Sequence, residues 1–280
     1  MKHNLSITFI LALLFLSSHF VGLAVINQYL PRTISTGEIV EKDLPLNIER
    51  PEIEAKTSFV PIFFIILIST FLALILIKFQ LFKIWKFWFF LSVLLTLIIA
   101  FSAFVSQIYA VIVAFILALL KLFKRNIIIN NLVEIFIYGG LAAIFVPIFN
   151  IFSISILLVL ISIYDAYSVF KSKHMIKLAK FQEKAKVFSG LNIPYKVQEG
   201  KKQIFTTAIL GGGDIGFTLF FSGVILKEFN LISALIVSFA AMLALLVLLV
   251  YGKKGKFYPA MPVLSLGCFI GFLIVKFILF

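Results

Sequence analysis

Two aspartates, Asp165 and Asp214, lie in segments that are otherwise almost entirely apolar. An ionised carboxylate is costly in such surroundings, so acids placed there are candidate functional groups. Two carboxylates that share one site cannot both ionise at low cost, and the pair then holds one proton. One member of such a pair can take a proton from water while the other polarises a carbonyl oxygen. The two residues therefore predict hydrolysis of a peptide bond by an aspartyl dyad.

Three glycines, Gly211–Gly213, come immediately before Asp214. Glycine weakens a helix and lets another backbone approach closely. We expect these glycines to loosen the helix around Asp214 and to free backbone groups. An unwound substrate could pair with such groups as an added strand. The alternative is a helix-packing surface of small residues.

A third unusual stretch, Pro259–Ala260–Met261–Pro262, directly follows a group of lysines. Proline cannot donate a backbone hydrogen bond, so the two prolines predict an extended start to the last helix. An ordinary helix start with proline in its first turn is the alternative. The stretch gains interest because we expect it at the same side of the membrane as both aspartates.

The composition predicts that transmembrane helices position these residues. The chain of 280 residues is 62% hydrophobic, only 13% charged, and has a mean hydropathy of +1.15. Several apolar runs exceed the ~18 residues that a spanning helix needs, so we predict an all-α polytopic membrane protein with nine transmembrane helices. The first run is expected to be a retained helix rather than a cleaved signal peptide. The nine predicted spans are 5–29, 58–79, 86–105, 107–121, 127–149, 151–170, 204–226, 230–251 and 257–279.

The lysines and arginines predict the orientation. With nine spans, 19 of them fall on one side and 6 on the other, which favours a cytoplasmic N-terminus and an external C-terminus. The predicted organisation has a six-helix portion (1–170) with an external loop (30–57), a basic cytoplasmic segment (171–203) and a three-helix portion (204–280). These parts form one integrated membrane domain.

The charge pattern also limits the partners. The net charge of +13 resides in short loops that set orientation, so no nucleic-acid partner is expected. The only cysteine, Cys268, and three scattered histidines form no metal-ligand pattern, and no cofactor is expected. The expected partners are the lipid bilayer and transmembrane-helix substrates, and the sequence does not define the oligomeric state.

The predicted spans place the two aspartates together. Asp165 lies six residues before Lys171, and Asp214 lies about ten residues into the next, antiparallel span. Both therefore fall in the cytoplasmic half of the membrane and can face each other. A third intramembrane acid, Glu134, is expected to reach the interface or to cap a neighbouring group.

The combination of Tyr-Asp in one span, Gly-Gly-Gly-Asp in the next and Pro-Ala-Met at the start of the last resembles the presenilin/signal peptide peptidase family of intramembrane aspartyl proteases. Given the short loops, the chain resembles the archaeal presenilin homologues in particular. The resemblance implies a presenilin-like fold, activity as an aspartic endopeptidase and catalytic roles for Asp165 and Asp214. Met261 departs from the leucine usual in the family, but it is apolar and similar in volume. Active-site and substrate-binding roles are expected for Tyr164, Gly211, Gly212, Gly213, Pro259, Ala260, Met261 and Pro262.

Two other functions use the same residues. A cation or proton channel or transporter would bind ions at the intramembrane acids, although no internal repeat is visible. A signal-peptide-type or prepilin-type peptidase would share the chemistry and differ in substrate. By the same resemblance, segment 171–203 is a candidate for autocatalytic cleavage.

Overall fold

The computed structural model describes residues 4–31, 39–124, 126–172, 178, 181–182, 187–199, 202–252 and 258–278. These contain nine α-helices of 17 residues or more and one β-hairpin. The elements are α1 (Leu5–Tyr29), α2 (Phe59–Lys78), α3 (Phe82–Ser102), α4 (Gln107–Phe123), α5 (Ile127–Phe145), α6 (Ile151–Tyr167), β1 (Gly190–Glu199), β2 (Lys202–Gly211), α7 (Gly212–Glu228), α8 (Leu231–Tyr251) and α9 (Met261–Ile278).

Seven of the described helices are long and apolar enough to cross a membrane. The other two, α4 and α7, have 17 residues each. Helix α6 reaches spanning length because it continues as a π-helix to Ser172. Most predicted spans agree with the observed helices to within a few residues, because long apolar runs can satisfy their backbone in hydrocarbon only as helices. The protein is an integral membrane protein, and its nine-helix organisation is confirmed.

One predicted span was wrong at its start. The helix expected from residue 204 begins at Gly212, and residues 202–211 form β2 instead. This strand pairs with β1 in antiparallel register, with Gly190 opposite Gly211 and Asn192 opposite Ile209. The apolar residues before Gly211 are compatible with a strand as well as with a helix, and pairing with β1 makes this segment a strand. The predicted boundary between residues 203 and 204 falls inside this strand.

The centre of the molecule is built around α1 and α5, which pack against each other. Helix α1 also contacts α7 and α8, and α5 contacts α3, α4, α7 and β1. Small residues allow these close approaches: a Cβ added to Gly140 of α5 would lie 2.0 Å from the Thr96 carbonyl oxygen of α3. Helix α2 packs loosely by comparison, because only 6% of the residues in its apolar segment are buried.

Three elements of the predicted site are in mutual contact. Helix α9 packs on α6, on α7 and, most extensively, on α8, while α6 also packs on α7. A tight turn containing Pro147 joins α5 to α6, and Asn150 begins α6 with a capping box that includes Ser153. The C-terminal part of α6 meets the N-terminal end of α9 through a hydrogen bond, and α7 packs against both helices.

Candidate active site

Asp165 lies in the last turn of α6, two residues before the helix ends at Tyr167. Its carboxylate oxygen Oδ2 accepts a hydrogen bond of 3.1 Å from the backbone N–H of Met261. The backbone of Ala260 makes a second interaction with the same carboxylate. The start of α9 is therefore the element that orients the Asp165 side chain.

The prolines explain why this N–H is available. Met261 is the first residue of α9, where backbone N–H groups have no partner inside the helix. Pro259 and Ala260 precede the helix outside regular structure, and Pro262 occupies its first turn. The structure brings this stretch onto Asp165, although more than 90 residues separate them in the sequence.

A second polar contact holds the same two helices together. Ser162 Oγ of α6 and Ser265 Oγ of α9 are 2.9 Å apart. Ser162 lies about one turn before Asp165, and Ser265 about one turn after Met261, so both contacts belong to one seam. The seam fixes the rotation of α6 about its axis and hence the direction of the Asp165 side chain.

Asp214 is the third residue of α7, directly after the end of β2. At this position the partial positive charge of the helix N-terminus favours a carboxylate. The expectation that the glycines loosen a helix is wrong. They form the junction between strand and helix, with Gly211 as an extended N-cap residue.

Two of the glycines leave room that a side chain would fill. A Cβ on Gly211 would lie 3.2 Å from Asp214 Oδ2. A Cβ on Gly212 would lie 2.9 Å from Ser189 Oγ and 3.0 Å from the Tyr138 hydroxyl. Close approach, rather than backbone flexibility, is therefore what these two positions require. At Gly213 an added Cβ would make only an ordinary contact of 3.8 Å with Phe217.

Tyr164 immediately precedes Asp165 in α6, and its side chain leaves the helix about 100° away from that of Asp165. It is partly buried. Its role in the site stays a prediction.

Sequence reasoning missed a polar face on α5, which carries Asn130, Asn131, Glu134 and Tyr138. Glu134 does not reach the interface. It is fully buried and forms an ion pair with Lys121 of α4, whose side chain is 2% exposed. Its second carboxylate oxygen accepts a hydrogen bond from the Tyr138 hydroxyl. The spacing of these residues, within about two turns on one helix, was the available signal.

The two asparagines of this face bind β1. Asn131 makes two hydrogen bonds with the backbone of Asn192: its Nδ2 donates to the carbonyl oxygen at 2.8 Å, and its Oδ1 accepts from the N–H at 3.0 Å. Asn130 donates to the carbonyl oxygen of Gly190 at 3.2 Å. In an antiparallel pair, alternate residues turn their backbone groups to opposite sides. The asparagines therefore occupy the edge of β1 that faces away from β2.

The chain matches the family model described as signal-peptide peptidase, presenilin aspartyl protease, over residues 21–280. The chain belongs to this family. A comparison with curated proteins found no match.

Solved structures share the fold of this chain. One, a presenilin family intramembrane aspartate protease in space group C222, has a TM-score of 0.66 and 18% sequence identity; the match covers 95% of this chain and 97% of the other. A second, in space group P2, has a TM-score of 0.62 at 18% identity, covering 95% and 96%. The predicted presenilin-like fold is therefore confirmed.

Proposed function

We propose that this member of the presenilin family is an intramembrane aspartic endopeptidase that cleaves transmembrane helices with Asp165 and Asp214. The observation that supports this most directly is the hydrogen bond from the Met261 N–H to Asp165. It joins two of the three sequence motifs at one carboxylate. The third motif begins α7, which contacts both α6 and α9.

The proposed chemistry needs one proton shared by the two carboxylates. The ionised member takes a proton from a water molecule as the water oxygen attacks the peptide carbonyl carbon. The protonated member transfers its proton to the carbonyl oxygen, and a tetrahedral diol forms. The first carboxyl then passes the proton taken from water to the amide nitrogen, the other carboxylate takes back a proton from the diol, and the C–N bond breaks to give a carboxylic acid and an amine. The Met261 N–H holds Asp165 in one orientation throughout.

The β-hairpin offers a place for the unwound substrate. The α5 asparagines bind the backbone of β1 on the edge that faces away from β2. In the observed register, the backbone groups of Leu191 and Leu210 therefore point towards each other across the two strands. The backbone groups of Ile209 and Gly211 then point away from β1, along the outer edge of β2. Among residues 206–211, which the structure describes, this outer edge has no hydrogen-bond partner. A substrate strand added here would satisfy backbone groups on both sides and would lie beside Asp214.

The orientation follows from the basic residues. A cytoplasmic N-terminus and an external C-terminus place the ends of α6 and β2, and hence the dyad, towards the cytoplasm. Cleavage would then occur in the cytoplasmic half of a substrate helix.

The test is cleavage of a single-span substrate by purified protein in detergent. We expect Asp165→Asn and Asp214→Asn each to lower the cleavage rate at least about a hundredfold, because either amide removes an acid–base group. Glu228→Gln is the matched control. It changes an acid to an amide at the far end of the same helix as Asp214, where the side chain is 39% exposed.

Full cleavage by either aspartate variant would refute the dyad. Ion flux that needs both aspartates, without any cleavage, would instead support the channel or transporter hypothesis. Cleavage of short leader peptides but not of single-span helices would favour a leader peptidase.

A further inference from the structure

A chain of polar contacts runs through the helices from α4 to the glycine segment before Asp214. Lys121 of α4 is buried and forms an ion pair with Glu134 of α5, and its ammonium also donates to Asn130 Oδ1 at 2.7 Å. The other oxygen of Glu134 accepts from the Tyr138 hydroxyl, one turn further along α5. The proteolytic chemistry proposed above uses none of these three side chains directly.

The far end of this chain lies against the active-site segment. Tyr138 is 2% exposed, and its hydroxyl oxygen lies 3.0 Å from where a Cβ on Gly212 would be. Tyr138 thus contacts the backbone that leads into Asp214, whereas Lys121 and Glu134 fix the position of Tyr138.

Stability alone does not account for this arrangement. A buried ion pair loses its hydration, and apolar residues of similar size commonly stabilise a protein as well or better. What a fully bonded polar network adds is a single geometry, because each group has few ways to satisfy its partners. The Tyr138 hydroxyl is held by Glu134 and therefore cannot rotate away from Gly212 without losing its acceptor.

We propose that Tyr138, held by the Glu134–Lys121 ion pair, is a positioning residue that fixes the Gly211–Asp214 segment for catalysis. This inference rests on the proposed function, since it assigns Tyr138 to the placement of a catalytic aspartate. A displacement of about 1 Å at a reacting group can lower a rate by up to a hundredfold.

The first test is Tyr138→Phe, which keeps the ring and removes only the hydroxyl. We expect kcat to fall about tenfold or more, with KM within about twofold, because substrate binding is unchanged while Asp214 is less well placed. The matched control is Tyr29→Phe. Its hydroxyl is also buried and donates to the Ile99 carbonyl oxygen, and Tyr29 packs in a different hydrophobic cluster from Tyr138. Equal kcat values for wild type and Tyr138→Phe would overturn the proposal.

The second test is a double-mutant cycle with Gly212→Ala. The added methyl group meets the Tyr138 hydroxyl, so we expect Gly212→Ala to lower kcat less in the Tyr138→Phe background than in the wild type. A purely structural role for Tyr138 predicts additive losses instead. Additive effects on kcat would therefore refute direct positioning of the segment.

A third measurement separates this inference from the protease assignment. Amide hydrogen exchange of residues 206–216 should be at least several-fold faster in Tyr138→Phe than in wild type or Tyr29→Phe. This result is expected even if the wild type cleaves no substrate, in which case the proposed function fails and the positioning role stands. Unchanged exchange in this segment would refute the positioning role whatever the activity.

Discussion

Asn131 attaches the β-hairpin to α5 by two hydrogen bonds, and its removal gives a quantitative test. Asn131→Ala deletes both hydrogen bonds to the Asn192 backbone. A neutral hydrogen bond contributes about 1 kcal/mol net, so the loss of two weakens hairpin attachment by about 2 kcal/mol. Because 1.4 kcal/mol is a factor of ten, the opening equilibrium should rise about thirtyfold.

The assay must measure opening directly. If the wild-type hairpin is open about one time in a thousand, a thirtyfold rise still leaves about 97% attached, and the cleavage rate barely changes. Amide hydrogen exchange of residues 190–194 reports the opening equilibrium itself. It should therefore accelerate about thirtyfold in Asn131→Ala while initial cleavage rates stay within about twofold.

The matched control is a substitution of Asn192, whose backbone binds the Asn131 side chain. Asn192→Ala removes the same kind of side chain but keeps both backbone groups that bind Asn131. The Asn192 Oδ1 is buried without a hydrogen-bond partner, so its loss should leave hairpin attachment unchanged or slightly stronger. Equal acceleration of exchange in the two variants, or none in Asn131→Ala, would refute the assignment of Asn131 as the anchor.

Two further substitutions test other parts of the site and its frame. Gly211→Ala should lower kcat about tenfold while the protein stays folded, because the new methyl group presses on Asp214 Oδ2 from 3.2 Å; unchanged kinetics would show that the carboxylate has room to move. Lys227→Met should lower the free energy of unfolding by about 2 kcal/mol, because the Lys227 ammonium binds the carbonyl oxygens of Pro147 and Phe149 at the turn between α5 and α6; an unchanged thermal midpoint in detergent would contradict this.

The helices and the place of the first aspartate were predictable because their signals are local. A run of about 20 apolar residues can cross hydrocarbon only as a helix, whatever its neighbours are. The position of Asp165 near the end of α6 followed from its distance to Lys171. The last span was predicted from residue 257, four residues before α9 begins at Met261. None of these conclusions needed knowledge of which helices touch.

The hairpin and the α5 network were missed because they depend on contacts between distant segments. The apolar residues in the second half of β2 suit a strand as well as a helix, and only pairing with β1 distinguishes the two conformations. Glu134 and Lys121 are 13 residues apart on different helices, so no periodicity within either helix indicates their pairing. Lys121 was therefore counted with the basic loop residues, although its side chain is buried.

The exposed edge of β2 and the hydrolytic water share a physical requirement. A non-helical backbone at membrane depth must have its N–H and C=O groups satisfied, since each unpaired group in hydrocarbon costs several kcal/mol. β1 meets this requirement through β2 on one edge and the α5 asparagines on the other. The outer edge of β2 has no such protein partner among residues 206–211, which leaves its backbone groups to be satisfied by water or by a substrate strand. Under the proposed function, such water would stand beside the segment that leads into Asp214, where hydrolysis would use it. An incoming substrate strand would pair with the outer edge of β2 and displace this water next to Asp214. Under the proposed function, the unpaired edge of β2 would therefore serve both substrate binding and delivery of the attacking water.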